Sequence, residues 1–161
     1  KWLQEARSKM GMREIPGPKD NQFIVKGWKR LGAGWFKDDE TPWCGLFVAH
    51  CMNIGSPEIP QKFNVLGARN WRKYGIKCNP IFGSIGVFWR THKTNSYNGH
   101  VGFLIGQDDN YYFVLGGNQK DMVCVTKISK NRLLECRVPY YIKPVGLVNI
   151  NKKVKVSNNE Q

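Results

Sequence analysis

The sequence predicts a single α+β domain, with N-terminal helices packed on a central antiparallel sheet of about five strands. Three observations predict it. Apolar residues recur at helical spacing through the first half of the chain. After Asn79-Pro80 the pattern changes to short apolar or alternating runs separated by turn residues. Between these halves, residues 38–52 read as a polar loop that turns abruptly into a buried helix. Helices followed by a run of strands is the order of an α+β domain. A chain of 161 residues suits one such domain, and a hydrophobic content of 41% fills its core without disulfides or metal.

Each element follows from local pattern. Trp2, Leu3, Ala6 and Met10 place a short amphipathic helix at the start, and Pro16-Gly17-Pro18 breaks the chain after it. Asp20 or Asn21 caps a second helix whose apolar face is Phe23, Ile24, Gly27, Trp28 and Leu31. In the third helix Thr41 is the expected N-cap and Pro42 the first helical residue, where a missing N–H costs nothing. Cys44 then falls in the first turn, heading the stripe of Phe47, Val48 and Cys51. Gly55, Pro57 and Pro60 stop this helix, and a weaker helical stretch over 63–74 ends at Gly75. Strands are expected over 85–90, 99–106, 111–115, 122–128 and 137–142, with Gln107-Asp108-Asp109-Asn110 as a turn. The domain is expected to cover 1–145, and the lysine-bearing residues 146–161 to be a polar, fraying tail.

Composition narrows the function. A formal net charge of +13 implies an anionic partner: nucleic acid, an anionic membrane or a bacterial envelope polymer. The five cysteines are odd in number and lack Cys-x2-Cys spacing, which argues against a disulfide framework or a zinc ribbon and for a reducing compartment. No apolar run is long enough to span a bilayer and no signal peptide is legible at the start, although the first residue is Lys rather than Met.

The helix start gives the chemistry a place. Unpaired first-turn N–H groups carry partial positive charge, which favours a thiolate at Cys44 and offers donors to an oxyanion. A cysteine nucleophile needs a base. His50 lies six residues on, on the opposite side of the same helix, and His92 lies in a polar loop. His100 opens a strand between Gly99 and Val101, where small neighbours leave room for a close partner. The hairpin returns Gly116-Gly117-Asn118-Gln119 beside it, so that an amide oxygen can orient the imidazole. Asn118 is the preferred orienting residue and Gln119 the alternative, because a one-residue change of register exchanges their faces.

Three blocks in this order, Trp43-Cys44-Gly45-x-Phe47-Val48, Gly99-His100-Val101-Gly102 and Gly116-Gly117-Asn118-Gln119, resemble the signatures of the CHAP and NlpC-type papain-like cysteine peptidases. Glu14-x-Pro16-Gly17, Ala68-x-x-Trp71 with Tyr74-Gly75, and Gly83-x-Ile85-x-Val87-Phe88 extend the resemblance over roughly residues 2–142. It implies a papain-like fold and hydrolysis of an amide bond in the peptidoglycan stem, as D,L-endopeptidase or N-acetylmuramoyl-L-alanine amidase. It carries the nucleophile onto Cys44, the base onto His100 and the orienting group onto Asn118. Trp43, Trp71, Trp89 and Gln119 are the candidate substrate-binding residues. Trp43 and the Gly-Gly-Asn block depart from relatives with Asp or Ser before the cysteine and an acid at the third position. Some relatives hold calcium through acids ahead of the cysteine; Asp38, Asp39 and Glu40 stand there, but no full ligand set is legible, and no metal or other cofactor is assigned.

The expected protein is therefore a phage endolysin or similar lytic enzyme. It would be a monomer made in a reducing cytoplasm and acting on peptidoglycan and its anionic envelope in the periplasm or outside the cell. An antibacterial toxin with the same chemistry is one alternative. A non-enzymatic basic nucleic-acid-binding module is the other, and the scatter of Lys and Arg along the chain, rather than in one stripe, speaks against it.

Overall fold

A computed structural model describes residues 1–94, 97–139, 143–150 and 156. Helix α1 (Trp2–Ser8) buries Ala6, and α2 (Gln22–Arg30) buries Ile24, Gly27 and Trp28. The Asn21 side chain accepts the Phe23 N–H and caps α2. Helix α3 (Cys44–Gly55) is apolar almost all round and buries Cys44 through Ala49 together with Cys51 and Met52. An all-apolar helix belongs inside, and here α1 and α2 cover one side of it while the sheet covers the other. The helical stretch expected over 63–74 is a shorter 3-10 helix, Ala68–Lys73.

The strands are β1 (Ile76–Cys78), β2 (Ile85–Trp89), β3 (Gly99–Gln107), β4 (Tyr111–Gly116), β5 (Cys124–Ser129) and β6 (Leu133–Val138). Among the described residues they form one antiparallel sheet in the order β1-β6-β2-β3-β4-β5. The short β1 is additional to the expected strands. The last strand begins earlier than expected, and residues 140–142 of the expected span lie outside the described residues.

Both faces of the sheet are apolar. Val101 and Phe103 of β3 join Ile85, Val87 and Leu115 against Phe47 and Val48 of α3. Phe88, Leu104, Val114, Ile128 and Cys136 form a second cluster on the opposite face, with Leu147 packed against it. That packing changes the expected tail boundary at residue 145. Gln107 N–H donates to Val148 O, Ile150 N–H donates to Gln107 O, and Asn149 bridges Gln107 in parallel. Residues 146–150 thus continue the domain instead of fraying from it; 151–155 and 157–161 lie outside the described residues.

Candidate active site

The approach to Cys44 is anchored from the N-terminal segment. The buried Asp39 carboxylate accepts the backbone N–H groups of Ile15 and Asn21 through Oδ2, at 2.9 and 2.6 Å. Asp38 Oδ1 accepts both the N–H and the Oγ1–H of Thr41, and these bonds, Thr41's N–H foremost, hold its carboxyl below the ordinary value. The Thr41 side chain is thereby used outside the helix, and α3 begins at Cys44 with Trp43 at the N-cap position, two residues later than the sequence predicts. Gly45 is required next. A Cβ there would run into the Val65 carbonyl oxygen and lie 2.8 Å from that of Leu66, so the 65–66 loop closes directly over the helix start.

The thiol is placed against β3. Cys44 is 6% exposed, and its sulfur sits within reach of the backbone N–H groups of Val101 and Gly45. Burial pushes the thiol pKa up; those N–H groups and the charge of Arg90 pull it down but do not prevail. The expectation that the helix start lowers this pKa is therefore corrected: desolvation outweighs the first-turn dipole. The four other cysteines are also free thiols; burial pushes Cys136 up to about 12.

His100, the neighbour of Val101, is fully buried, and its Nε2 lies 3.0 Å from Oε1 of Gln119. The orientation of that amide is fixed by its surroundings. Gln119 Nε2 faces the carbonyls of Val114, Gly116 and Cys124, while Oε1 also accepts the Thr126 hydroxyl at 3.0 Å. An amide oxygen only accepts. Nε2 of His100 must therefore carry the proton, and in the neutral ring Nδ1 is left as the basic nitrogen. Glycine at 116 makes room: a Cβ there would lie 3.1 Å from Gln119 Oε1 and 3.2 Å from His100 Nε2.

Gln119, rather than Asn118, thus orients the imidazole. The register of β3 with β4 runs Phe103 to Leu115 and Leu104 to Val114, which if continued would set His100 opposite Asn118. But β4 ends at Gly116, and Asn118 turns away in the left-handed region at φ 56°. Gln119 is fully buried, so its expected role as a substrate contact is also replaced by this internal one.

Two of the tryptophans expected along a groove are core instead. Trp43 and Trp71 are fully buried; their indole N–H groups donate to Glu14 Oε1 and to Val65 O. Trp89 is half-buried and donates to Asn131 O, with Arg132 stacked on its ring. The space beside Cys44 is instead a cavity of about 340 Å³ walled by the 66–68 loop, Pro42, Arg90, and Tyr97 through Gly99. Its wall is held by Arg69, which is 7% exposed and donates to the carbonyls of Asn98, Lys93 and His92 at 2.7, 3.0 and 2.7 Å. Arg69 sits inside the Ala68-x-x-Trp71 block, but nothing in that pattern marks it as the clamp of a loop more than twenty residues away.

His50 lies on the far side of α3 as the spacing predicts, with Nε2 2.7 Å from Glu5 Oε1 and its ring edge-on to Phe23. His92 is exposed in its loop. Among the described residues no group of three or more His, Cys, Asp or Glu is arranged to hold a metal ion, and no helix is long and apolar enough to cross a membrane. In comparisons with known proteins the chain matches no protein-family model, no curated protein and no solved structure.

Proposed function

We propose that this chain is a papain-like cysteine hydrolase that cleaves an amide bond in the stem peptide of peptidoglycan, with Cys44 as nucleophile, His100 as general base and acid, and Gln119 as the positioning residue. The observation that carries the reading is the locked amide of Gln119: it fixes the His100 tautomer with Nδ1 basic, on the strand that packs against α3. A buried Gln–His pair on the strand that packs against α3 suits a thiol of raised pKa, because the proton must be taken as the nucleophile attacks.

In this mechanism His100 accepts the thiol proton while Sγ bonds to the substrate carbonyl carbon. The oxyanion develops near the Cys44 backbone N–H. His100 then delivers the proton to the leaving amine as the C–N bond breaks, leaving a thioester. Water, deprotonated by His100, attacks the thioester, and Cys44 leaves as thiol. The wall substrate rests on the sequence resemblance together with the net charge of +13, which draws the protein to anionic envelope polymers. A lytic enzyme of phage or bacterial origin fits both.

The test is digestion of purified Gram-negative sacculi with wild type and Cys44→Ala, with products read by mass spectrometry. Stem fragments released by wild type alone support the reading, and their masses name the bond. Absence of release by folded, reduced wild type overturns it.

A further inference from the structure

Away from Cys44, the sheet brings two further thiols together. In the antiparallel pairing of β1 with β6, Cys78 stands directly opposite Cys136, although the two are far apart in sequence. Opposed residues of such a pair point to the same face, and their Cα atoms lie about 4.5 or 5.5 Å apart. Both spacings fall within the range of about 4.4–6.8 Å that a disulfide spans without moving the backbone. The shared face is the one turned away from α3, where both cysteines pack with Phe88 and Leu104. Lys77 and Arg137, the pair next along the ladder, belong to the other face, where Lys77 meets Glu135 at 3.8 Å. On its second flank Cys136 is paired with Gly86, which has no side chain, so its neighbour across the ladder is Cys78.

We propose that Cys78 and Cys136 form a disulfide site, closed by exchange with a small-molecule disulfide of the glutathione type, that staples the edge strand β1 to β6. Cys78 is half-buried on a three-residue strand at the sheet edge, whereas Cys136 is 2% exposed, so Cys78 reacts first. Its thiolate attacks one sulfur of the reagent, and one reagent thiolate leaves. Cys136 then gives up its proton and attacks the Cys78 sulfur, and the second reagent thiolate leaves. Two protein thiols are thereby oxidised, one reagent disulfide is reduced to two thiols, and the released thiolates take up the two protons. Burial pushes both protein thiols up, Cys136 to about 12, and the charge of Cys78 adds to the rise at Cys136. Exchange is accordingly slow, and the dithiol persists until an oxidant is supplied. The bridge ties down the strand that directly follows the 3-10 helix bearing Arg69, and it is independent of the hydrolase reading above.

The test incubates the folded, reduced chain with oxidised glutathione at mildly alkaline pH. The remaining thiols are then alkylated under denaturing conditions and the cysteines mapped by non-reducing peptide mass spectrometry. The expected product is a peptide pair joined through Cys78 and Cys136. Its melting temperature should exceed that of the reduced protein by about 5–10 °C, because the bridge closes a long loop in the unfolded chain. Dithiothreitol should reverse both changes. Cys78→Ser should form no such bridge and show no rise on oxidation, while its reduced form melts close to reduced wild type because position 78 is half-buried.

Both thiols alkylated after oxidation, or Cys78 held as a mixed disulfide that Cys136 never resolves, overturns the proposal. So does a bridged protein that melts at or below the reduced one, or an equal rise in Cys78→Ser. Each of these results leaves the hydrolase reading in place. Inactivity on sacculi, with the Cys78–Cys136 bridge and its rise in melting temperature observed, overturns that reading and leaves the disulfide site standing.

Discussion

Helix α3 separates two buried or half-buried histidines whose partners differ in one respect. On one side His50 meets the carboxylate of Glu5, itself bridged to Lys9 at 3.2 Å, and packs on Phe23. On the other, His100 meets the neutral amide of Gln119, which is held by a hydroxyl and three carbonyls. The carboxylate can form an ion pair that joins α1 to α3, and it needs no particular tautomer. The amide fixes the tautomer and ring plane without adding charge. The chemistry of the partner, more than burial, separates His50 from the histidine proposed as the base.

The largest test removes each imidazole in turn. His100→Ala should lower the turnover of wall substrate by about 10²–10⁴-fold, the usual contribution of a positioned acid–base group. His50→Ala should keep turnover within a few-fold and instead lose roughly 1 kcal/mol of stability, as for other partly exposed ion pairs with an aromatic contact. Chemical denaturation measured beside activity reads both. A folded His50→Ala protein without activity would reverse the assignment.

The second test splits Gln119 from Asn118. Gln119→Ala strips a buried amide from His100, Thr126 and three carbonyls, and should cost about 1–3 kcal/mol of stability per group left unsatisfied along with about 10²-fold in kcat. Asn118→Gly should leave kcat near wild type, because glycine takes the left-handed conformation at least as readily as asparagine. Steady-state kinetics on the two variants decides which side chain holds the ring.

That pair also marks how far the sequence could be read. The helix-start cysteine, the β3 strand and its return were legible because each rests on local pattern: apolar spacing, alternation, and the turn residues 107–110. The nearly correct register was legible too. What was not legible is where β4 stops. Asn118, Lys120 and Asp121 all have positive φ, a turn that no alternation rule describes, and it swings one amide out and the next one in. The tryptophans misled for a related reason: large apolar rings with one polar atom suit a groove or a core equally, and only the tertiary partners, Glu14 and the Val65 carbonyl, show that two of them are core. Arg69 was silent in a chain with 25 Lys and Arg residues, because its role depends on contacts across long sequence separations.

A smaller effect probes the charged partner of His50. The Glu5 carboxyl is held below its ordinary value of 4.5, first by the bond to His50 and then by Lys9, against the opposing effect of burial. A depressed carboxyl contributes stability above its unfolded pKa and loses it as pH falls through the folded one. Glu5→Gln should therefore lower the melting temperature near neutral pH. The difference from wild type should shrink as pH drops below about 4.5. A difference that persists unchanged at pH 3 would mean that Glu5 acts through packing rather than charge.

The smallest effect should come from the acid on the Cys44 side, with the opposite sign. Burial raises the Glu14 carboxyl above 4.5, and Asp121, Asp39 and Glu40 add repulsion, while the Trp43 N–H only partly compensates. A raised carboxyl binds its proton more tightly in the folded state, so folding is favoured most below the unfolded pKa and loses stability as pH rises through the folded one. Glu14→Gln keeps an oxygen for the Trp43 indole and removes the half-buried negative charge. It should raise stability at pH 7 by less than about 1 kcal/mol, because the group is partly exposed and screened. The gain should vanish below about pH 4, where Glu14 of the wild type is already protonated. Melting temperatures of the two proteins across that range check the sign: a loss at pH 7 would mean that the charge-assisted bond to Trp43 outweighs desolvation, and that the lead-in to Cys44 depends on an ionised acid much as α1 depends on Glu5.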